Sequence, residues 1–283
     1  MILTFDIEDW FHILDAQNSQ TIKKWDDLES RFEPILDELL RLLDENNQKA
    51  IFFILGWLAD RYPHVVTKIS NAGHMIGSHS YSHQLVYEQS RAAFTADLIK
   101  SLNILSDQSG CKISMYRAPG FSIKQKSKWA FEVLCENGIE KDFSVFGVKR
   151  HHGGFSTDYD VSLPFKIRVG DKILEEYPLN IRKLLGVGFV YSGGGYFRLL
   201  DRFILRHFIR SDPYVMSYFH PRDFDYGQPR LEGLKLKDRI RYYIGLKSSF
   251  QKLQFITKEV LIEDPEIFFQ NNSPKAIFNL EDL

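Results

Sequence analysis

Short apolar runs alternate along this chain with longer segments in which apolar residues recur at helical spacing. The run at residues 50–55, Ala-Ile-Phe-Phe-Ile-Leu, has no polar side chain, which is typical of a strand buried on both faces. The chain also begins with a short apolar run that stops at Asp6. Further strands are predicted at residues 113–116, 143–146, 173–177 and 214–219. This alternation predicts the α/β class, with helices wound around a parallel sheet.

The helix signals lie between these runs. Ser30-Arg31-Phe32-Glu33 has the form of a capping box, and the Ile and Leu residues that follow it form one apolar face. A second helix is predicted from Pro63 to Gly73, and a third is predicted to end before Gly110. Residues 149–166 are predicted to be a long loop, and residues 234–253 a helix. The cations of that last helix are interpreted as a solvated face.

Composition predicts one globular domain. A chain of 283 residues lies near the upper limit of a single core, and 44% of its residues are hydrophobic. We expect a catalytic core at about 1–225 and a helical C-terminal extension at about 226–283. Cys111 and Cys135 lie beside apolar residues and are predicted to be buried free thiols.

The charge balance and the hydropathy pattern limit the partners. Lys and Arg number 36 against 37 Asp and Glu, so the net charge of −1 gives no basic field for nucleic acid or anionic lipid. No apolar run approaches the roughly 20 residues that cross a bilayer, and no leader precedes the first strand. These observations predict a cytoplasmic protein without nucleic-acid partners, and they leave a homo-oligomer open.

Two histidines four residues apart, His79 and His83, are the strongest sign of chemistry. An acidic cluster, Asp6, Glu8 and Asp9, follows the first strand. Two imidazoles and one carboxylate suit a borderline divalent ion such as zinc, and they leave one coordination position for water. Both segments come at the end of a predicted strand, so we expect them to meet at one rim of the sheet.

Four motifs at compatible spacing now identify a resemblance. They are residues 4–10 (Thr-Phe-Asp-Ile-Glu-Asp-Trp), 79–83 (His-Ser-Tyr-Ser-His), 116–120 (Tyr-Arg-Ala-Pro-Gly) and 218–221 (Tyr-Phe-His-Pro). Across residues 1–253 the chain resembles the NodB-type polysaccharide deacetylases, carbohydrate esterase family 4. The segments 192–198 and 220–222 resemble the subgroup linked to bacterial exopolysaccharide synthesis and export. The resemblance implies a TIM-barrel-like fold, a distorted (β/α) barrel of about seven strands.

The resemblance also implies roles for single residues. It assigns Asp6 as the catalytic base and His79 and His83 as metal ligands. Arg117 would orient Asp6, because a guanidinium holds a carboxylate in fixed geometry. The Gly120 N–H would meet the oxyanion. His220 would be the acid, with Asp142 as a partner that raises its pKa.

The chain departs from the commonest family pattern at the metal carboxylate. Ile7 stands where most members have a second aspartate, so Glu8 or Asp9 must bind the metal. Glu8 should point to the same side as Asp6 if the strand persists, whereas Asp9 requires a turn after Ile7. Both remain candidates.

A second group of residues is predicted to bind the sugar. Trp10, Tyr81 and Tyr196 are aromatic side chains that suit stacking on sugar rings. Three glycines at 193–195 predict a rim loop in which backbone approaches the substrate closely. Gly194, Tyr196 and Arg198 are therefore predicted to contact the glycan.

These features together predict a metal-dependent N-deacetylase of acetamido sugars in a bacterial polysaccharide, its lipid-linked precursor or a related glycan. Two alternatives are a metal-free amidohydrolase of a small cyclic or acylated molecule and a glycan-binding module without activity. The first predicts no bound metal, and the second predicts binding without turnover. Both alternatives are disfavoured, since the candidate ligands, base and acid are all present.

Overall fold

The computed structural model describes residues 1–14, 22–148, 152–184, 187–231 and 234–283. The strands in these ranges are β1 Thr4–Ile7, β2 Ile51–Ile54, β3 Met75–Ser78, β4 Met115–Tyr116, β5 Lys141–Asp142, β6 Phe165–Val169, β7 Lys172–Glu176, β8 Arg182–Leu184, β9 Val187–Phe189 and β10 Ala276–Asn279. The α-helices are α1 Ile22–Trp25, α2 Phe32–Glu45, α3 Gly56–Arg61, α4 Pro63–Asn71, α5 Arg91–Ser109, α6 Trp129–Glu136, α7 Gly194–Leu199, α8 Arg202–Ser211, α9 Leu236–Tyr243, α10 Leu246–Glu259 and α11 Pro265–Asn271.

The chain divides into two compact units. Unit 1 comprises Met1–Ile51 and Arg182–Pro265, and unit 2 comprises Phe52–Ile181 and Glu266–Leu283. Each unit is therefore built from two separate stretches of sequence. The predicted organisation as one domain stays a prediction.

Unit 2 is organised around strands in the order β2-β3-β4-β5-β7-β6-β10. The pairs β3–β4, β4–β5, β5–β7 and β6–β10 are parallel, whereas β6 and β7 form an antiparallel pair. Helices α5 and α6 supply Phe94, Leu98 and Phe131 to its apolar core. A mainly parallel sheet with helices confirms the predicted α/β class, while closure of a barrel stays a prediction.

Unit 1 contains β1 and the segment that precedes His220. Ile2 and Phe5 form parallel bridges with Met216 and Phe219. The Phe5 and Phe219 rings lie 5.9 Å apart, and α2 buries Leu36, Leu39 and Leu43. The predicted strand at 214–219 is therefore present only as isolated bridges, because its partners alternate rather than form a continuous ladder.

Several predicted boundaries were wrong. The strand predicted at 143–146 lies two residues earlier, at β5, since the next residues turn to hydrogen-bond with neighbouring loops. The predicted helix 234–253 is two helices, because Gly245 (φ 70°) interrupts it. The C-terminal extension is not only helical, since β10 pairs with β6. Cys111 is exposed, and only Cys135 is a buried thiol.

Helix α5 ends before Gly110, as predicted. The Ser90 side chain accepts a hydrogen bond from the Ala93 N–H, and Gly110 ends the helix in the left-handed conformation. Among the residues that the structure describes, no helix is both long and apolar enough to cross a membrane.

Candidate active site

Asp6, Glu8 and His220 form a cluster within unit 1. Asp6 lies near the end of β1, where its N–H donates to the Phe219 carbonyl at 2.7 Å. This hydrogen bond joins the acidic segment to the strand-like segment that leads into His220. The Nε2 atom of His220 lies 3.9 Å from an oxygen of Asp6 and 3.9 Å from an oxygen of Glu8. One ligand atom from each of the three residues lies within 4.8 Å of the others, as a metal or proton-transfer site requires.

Asp9 has a different role from Glu8. Its carboxylate accepts hydrogen bonds from the Ser30 hydroxyl at 2.5 Å and from the Arg31 N–H at 3.0 Å. The Trp10 N–H donates to it as well, at 2.8 Å. Asp9 therefore holds the segment at the start of α2 by hydrogen bonds, and the capping box predicted at Ser30 was wrong. The geometry favours Glu8 as the metal carboxylate.

His220 is held by the carboxylate of Asp223, which was not predicted from the sequence. Asp223 Oδ2 lies 3.0 Å from His220 Nδ1 and accepts the His220 backbone N–H at the same distance. Burial alone would lower the pKa of His220, but the negative charges of Glu8, Asp223 and Asp6 outweigh it and raise that pKa. Asp223 is therefore the carboxylate partner of His220, the role that was predicted for Asp142. Asp223 follows His220 by three residues and forms a capping box with it. This spacing is the sequence signal from which Asp223 could have been predicted.

Arg198 also has a different role from the predicted one. Its side chain is 3% exposed and donates from Nη1 to Asp223 Oδ1 at 2.8 Å. A buried guanidinium in an ion pair is not available to a glycan. The prediction of Arg198 as a substrate-binding residue is therefore corrected.

His79 and His83 lie in unit 2, in the loop that follows β3. The His79 backbone N–H donates to the Ile54 carbonyl at 3.0 Å, and the His79 and His83 rings lie 5.4 Å apart. His79 Nδ1 lies 2.8 Å from the Arg117 carbonyl oxygen. A hydrogen bond from Nδ1–H to a carbonyl fixes the tautomer that leaves Nε2 as a lone-pair donor, which is the usual arrangement of a metal-binding histidine.

Asp97 of α5 shapes this histidine loop. Its carboxylate accepts the Tyr81 N–H at 2.7 Å, the Ser82 N–H at 2.9 Å and the Ser82 hydroxyl. Ser80 (φ 63°) and His83 (φ 53°) adopt the left-handed conformation, which residues other than glycine rarely adopt. Asp97 was not predicted from the sequence, because a single acidic residue on a helix resembles a solvated one.

Arg117 and Gly120 follow β4 in unit 2. Arg117 is fully buried, and its guanidinium lies 4.2 Å from the centre of the Phe53 ring. Gly120 has a φ of 61° inside a short 3₁₀ turn, Pro119–Phe121. A side chain on Gly153 would approach the Gly120 and Phe121 carbonyl oxygens within 2.6 Å, so the 153 backbone packs directly on this turn. The roles of Arg117 toward Asp6 and of the Gly120 N–H stay predictions.

Asp142 pairs with Glu176 in unit 2. The two residues are neighbours in register on β5 and β7, and both are fully buried. The Ser144 hydroxyl donates to Asp142 at 2.7 Å, and the Val145 N–H donates to Glu176 at 2.9 Å. Burial and the charge of Asp142 raise the pKa of Glu176 well above its ordinary value, and burial raises the pKa of Asp142 as well.

This buried pair predicts a pH-dependent stability. The folded protein keeps the Glu176 proton at a pH where the unfolded chain, with a pKa near 4.5, has lost it. Stability is therefore full below that value and falls as the pH rises through the pKa of the folded state. We expect Glu176→Gln to reduce the fall in free energy of unfolding between about pH 5 and about pH 8 by more than about 1 kcal/mol, in urea titrations. Glu175→Gln, which changes a half-buried neighbour, is the control and should leave the slope unchanged; equal slopes for all three proteins would contradict the assignment.

The aromatic residues predicted to bind sugar are engaged in other contacts. Trp10 is buried and donates from Nε1 to the Glu29 carbonyl at 3.0 Å. The Tyr81 hydroxyl donates to Asp60 at 2.9 Å, and the Lys100 ammonium lies 3.5 Å from its ring centre. Tyr196 is 40% exposed and keeps an accessible ring, although one edge packs on Phe189. Of these three, Tyr196 remains the best candidate for a sugar contact.

The glycines at 193–195 are not a rim loop. Gly193 forms a parallel bridge with Tyr218, and Gly194 and Gly195 begin α7. A Cβ on Gly193 would lie 2.1 Å from the Tyr218 carbonyl oxygen. A Cβ on Gly194 (φ 54°) would lie 2.9 Å from the Tyr218 hydroxyl. These glycines allow close packing on Tyr218, so a structural role replaces the predicted substrate contact of Gly194.

Gly193→Ala should therefore destabilise the fold. The clash involves backbone atoms that cannot move aside, so we expect a loss of about 1–3 kcal/mol in the free energy of unfolding. Gly170→Ala is the control for backbone conformation. An added Cβ at Gly170 (φ 60°) would have no atom within 4 Å, so this variant should lose about 1–2 kcal/mol of stability from backbone strain alone. Thermal unfolding of both variants measures the difference. A Gly193→Ala variant as stable as the wild type would show that the 193 and 218 segments separate readily.

Comparison with known proteins assigns two segments of the chain. Residues 16–134 match the family model for Polysaccharide deacetylase, and residues 143–263 match Domain of unknown function (DUF3473). His79, His83, Arg117 and Gly120 lie in the first segment. His220 lies in the second, whereas Asp6 and Glu8 precede both.

Similar proteins include a peptidoglycan-N-acetylglucosamine deacetylase of Bacillus cereus, 35% identical over 34% of this chain and 35% of that protein. A peptidoglycan deacetylase of Helicobacter pylori is 26% identical over 48% of this chain and 41% of that protein. A chitin deacetylase of Pestalotiopsis sp is 37% identical over 30% of each chain. The chain thus spans about 30% to 41% of the length of these curated relatives.

Solved structures support the fold over nearly the whole chain. A candidate polysaccharide deacetylase from Mycobacterium smegmatis aligns with a TM-score of 0.65, at 19% identity, over 98% of this chain and 92% of that one. A probable polysaccharide deacetylase from Pseudomonas aeruginosa PAO1 aligns with a TM-score of 0.59, at 13% identity, over 95% and 89%. The similarity to the polysaccharide deacetylase family thus rests on residues 16–134, which are less than half of the chain.

Proposed function

We propose that this protein is a metal-dependent hydrolase that removes N-acetyl groups from acetamido sugars of a bacterial polysaccharide or its precursor. The observation that carries the proposal is the cluster of Asp6, Glu8 and His220 in a chain whose residues 16–134 match the polysaccharide deacetylase family. A carboxylate and an imidazole within hydrogen-bonding reach of one reacting group supply the base and the acid that amide hydrolysis needs.

The donor chemistry of this chain suits a divalent ion. His79, His83 and Glu8 are the proposed ligands, and the Arg117 carbonyl leaves Nε2 of His79 as its donor atom. Imidazole and carboxylate donors favour zinc, although other divalent ions accept the same set. When bound, such an ion lowers the pKa of a water molecule and polarises the acetyl oxygen.

The side chains have distinct tasks in this reaction. Asp6 takes a proton from the attacking water, which then forms a bond to the acetyl carbon. The Gly120 N–H donates to the oxyanion that develops, and Arg117 orients the Asp6 carboxylate. His220 gives a proton from Nε2 to the departing sugar amine, and the C–N bond breaks to release acetate. Asp223 holds the opposite nitrogen of His220 during this transfer.

The substrate class is proposed from the relatives. The matched proteins are named for deacetylation of peptidoglycan and chitin, which share N-acetylglucosamine. The resemblance at 192–198 and 220–222 extends the proposal to exopolysaccharide biosynthesis. Exposed Tyr196 offers a ring for a sugar in such a chain.

Acetate release tests the function directly. The purified full chain, with zinc added, should release acetate from N-acetylglucosamine oligomers or from a wider panel of acetamido glycans. The matching glycans without acetyl groups provide the blank. Absence of acetate from every member of the panel would overturn the proposal.

The choice between Glu8 and Asp9 is also testable. We expect Glu8→Gln to lower zinc affinity by at least 10-fold with little change in stability, because it removes a ligand. Asp9→Asn should keep the zinc affinity and lose about 1 kcal/mol of stability, since Asp9 holds the start of α2. Calorimetric zinc titration and urea unfolding of both variants measure these effects; the reverse pattern would assign the metal to Asp9.

A further inference from the structure

Arg198 is one of the most deeply buried charged groups of unit 1. Its side chain is 3% exposed, and Asp223, its ion-pair partner, is 1% exposed. Besides Asp223, Arg198 donates from Nη2 to the Arg241 carbonyl at 2.7 Å. Burying these two charges costs desolvation free energy, which their mutual attraction and their hydrogen bonds must offset.

Asp223 divides its two oxygens between two residues. Oδ1 accepts from Arg198, and Oδ2 faces both the backbone N–H and the ring Nδ1 of His220. We propose that Arg198 is a positioning residue that acts through Asp223. It keeps the Asp223 carboxylate ionised and oriented. As a result, His220 keeps its proton on Nδ1 and turns Nε2 toward Asp6 and Glu8. The catalytic consequence rests on the proposed function, whereas the effect on His220 does not.

The surroundings of Arg198 support this role. A Cβ on Gly245 would lie 2.3 Å from the Arg198 carbonyl oxygen, so the backbone of the α9–α10 junction packs directly against it. The Lys252 ammonium donates to the Phe197 and Arg198 carbonyl oxygens at 3.0 and 2.8 Å. The segment bearing Arg198 is thus fixed by α10 and by the Gly245 turn. A fixed backbone leaves the guanidinium little freedom to follow a displaced Asp223.

Removing Arg198 would leave Asp223 buried without its cationic partner. A buried carboxylate in that position gains a proton or moves toward water. A protonated Asp223 no longer requires a donor at His220 Nδ1, so the second imidazole tautomer becomes accessible. In that tautomer the proton lies on Nε2, and Nδ1 becomes the nitrogen that can accept a proton.

The experiment measures the His220 tautomer in the full chain by the ¹⁵N chemical shifts of its ring, at a single alkaline pH. The signals are assigned by their loss in His220→Gln. The variants are Arg198→Met, which removes the charge, and Arg198→Lys, which restores it. Arg206→Met is the matched control, since Arg206 pairs with Glu259 at 3.0 Å on the partly exposed side of the same unit.

We expect Arg198→Met to shift the His220 signals toward a mixture of tautomers and to lower kcat about 10- to 100-fold with little change in KM, as for carboxylates that orient histidines in metal sites. Arg198→Lys should recover part of both effects, and Arg206→Met should change neither. Unchanged His220 signals in a folded Arg198→Met variant would overturn the proposal. A loss confined to KM would overturn it as well, because it would return Arg198 to substrate binding.

If Arg198→Met does not fold, the double variant Arg198→Met/Asp223→Asn replaces it in the test, because it removes both buried charges together. It should fold and show the mixed tautomers, and wild-type signals there would refute the proposal. If the wild type releases no acetate, the proposed function fails, yet the His220 signals still decide the role of Arg198.

Discussion

Asp6→Asn should lower kcat for acetate release by about 100- to 10,000-fold, the usual contribution of a positioned general base. Asparagine has nearly the same shape, so it preserves the hydrogen bond from the Asp6 N–H to the Phe219 carbonyl. It cannot take the proton of the attacking water. Acetate release from N-acetylglucosamine oligomers, measured over a range of substrate concentrations, separates this loss of kcat from a change in KM.

Metal content is the control for this variant. Because Asp6 is proposed to move a proton and Glu8 to bind the ion, Asp6→Asn should retain most of its zinc. Loss of zinc together with activity would make Asp6 a ligand rather than a base. Near-normal turnover in a zinc-loaded Asp6→Asn protein would exclude it from the mechanism.

Replacing both His79 and His83 by alanine should abolish zinc binding. Loss of an outer-shell partner costs about 10- to 100-fold in metal affinity, so loss of two direct ligands should exceed about 100-fold. Elemental analysis of the purified proteins and calorimetric titration with zinc provide the measurements. Acetate release should disappear in parallel.

His64→Ala is a matched control, because His64 lies in α4 of the same unit and outside the histidine loop. It should bind as much zinc as the wild type. Equal zinc in the wild type and the double alanine variant would refute the proposed ligands.

The sequence predicted the elements that carry a strong local signal. The buried strand β2 and helix α5 lie where apolar runs and caps indicate them. Their agreement follows from short-range physics, since a capped periodic segment or an unbroken apolar run has few alternative structures. The α/β class could be predicted for the same reason.

The errors concern residues whose partners lie far away in sequence. Ser30 has the right spacing for a capping box, yet its hydroxyl donates to Asp9, which is 21 residues earlier. Arg198 resembles a surface arginine in a glycine-rich turn, but Asp223, 25 residues later, buries it. No local pattern encodes such pairs, because they form only when the tertiary structure brings the segments together.

In the candidate site, too, the residues with a local motif were predicted and the residues that support them were not. The motifs identified His79, His83 and His220 because their residue types and spacing suit metal binding and proton transfer. Their supporting residues, Asp97 and Asp223, were missed. Asp97 has no fixed spacing from the histidines and is recognised by its hydrogen bonds, whereas the three-residue spacing of Asp223 from His220 is a usable sequence signal.

The left-handed residues Ser80 and His83 have a consequence for protein engineering. The left-handed conformation costs each of them roughly 1–2 kcal/mol, so the loop depends on contacts from neighbouring segments, among them those of Asp97 and the Arg117 carbonyl. Residues 79–83 are therefore not a portable metal-binding cassette. Transplanting them into another scaffold should succeed only if the recipient also supplies a carboxylate in place of Asp97 and a carbonyl for His79.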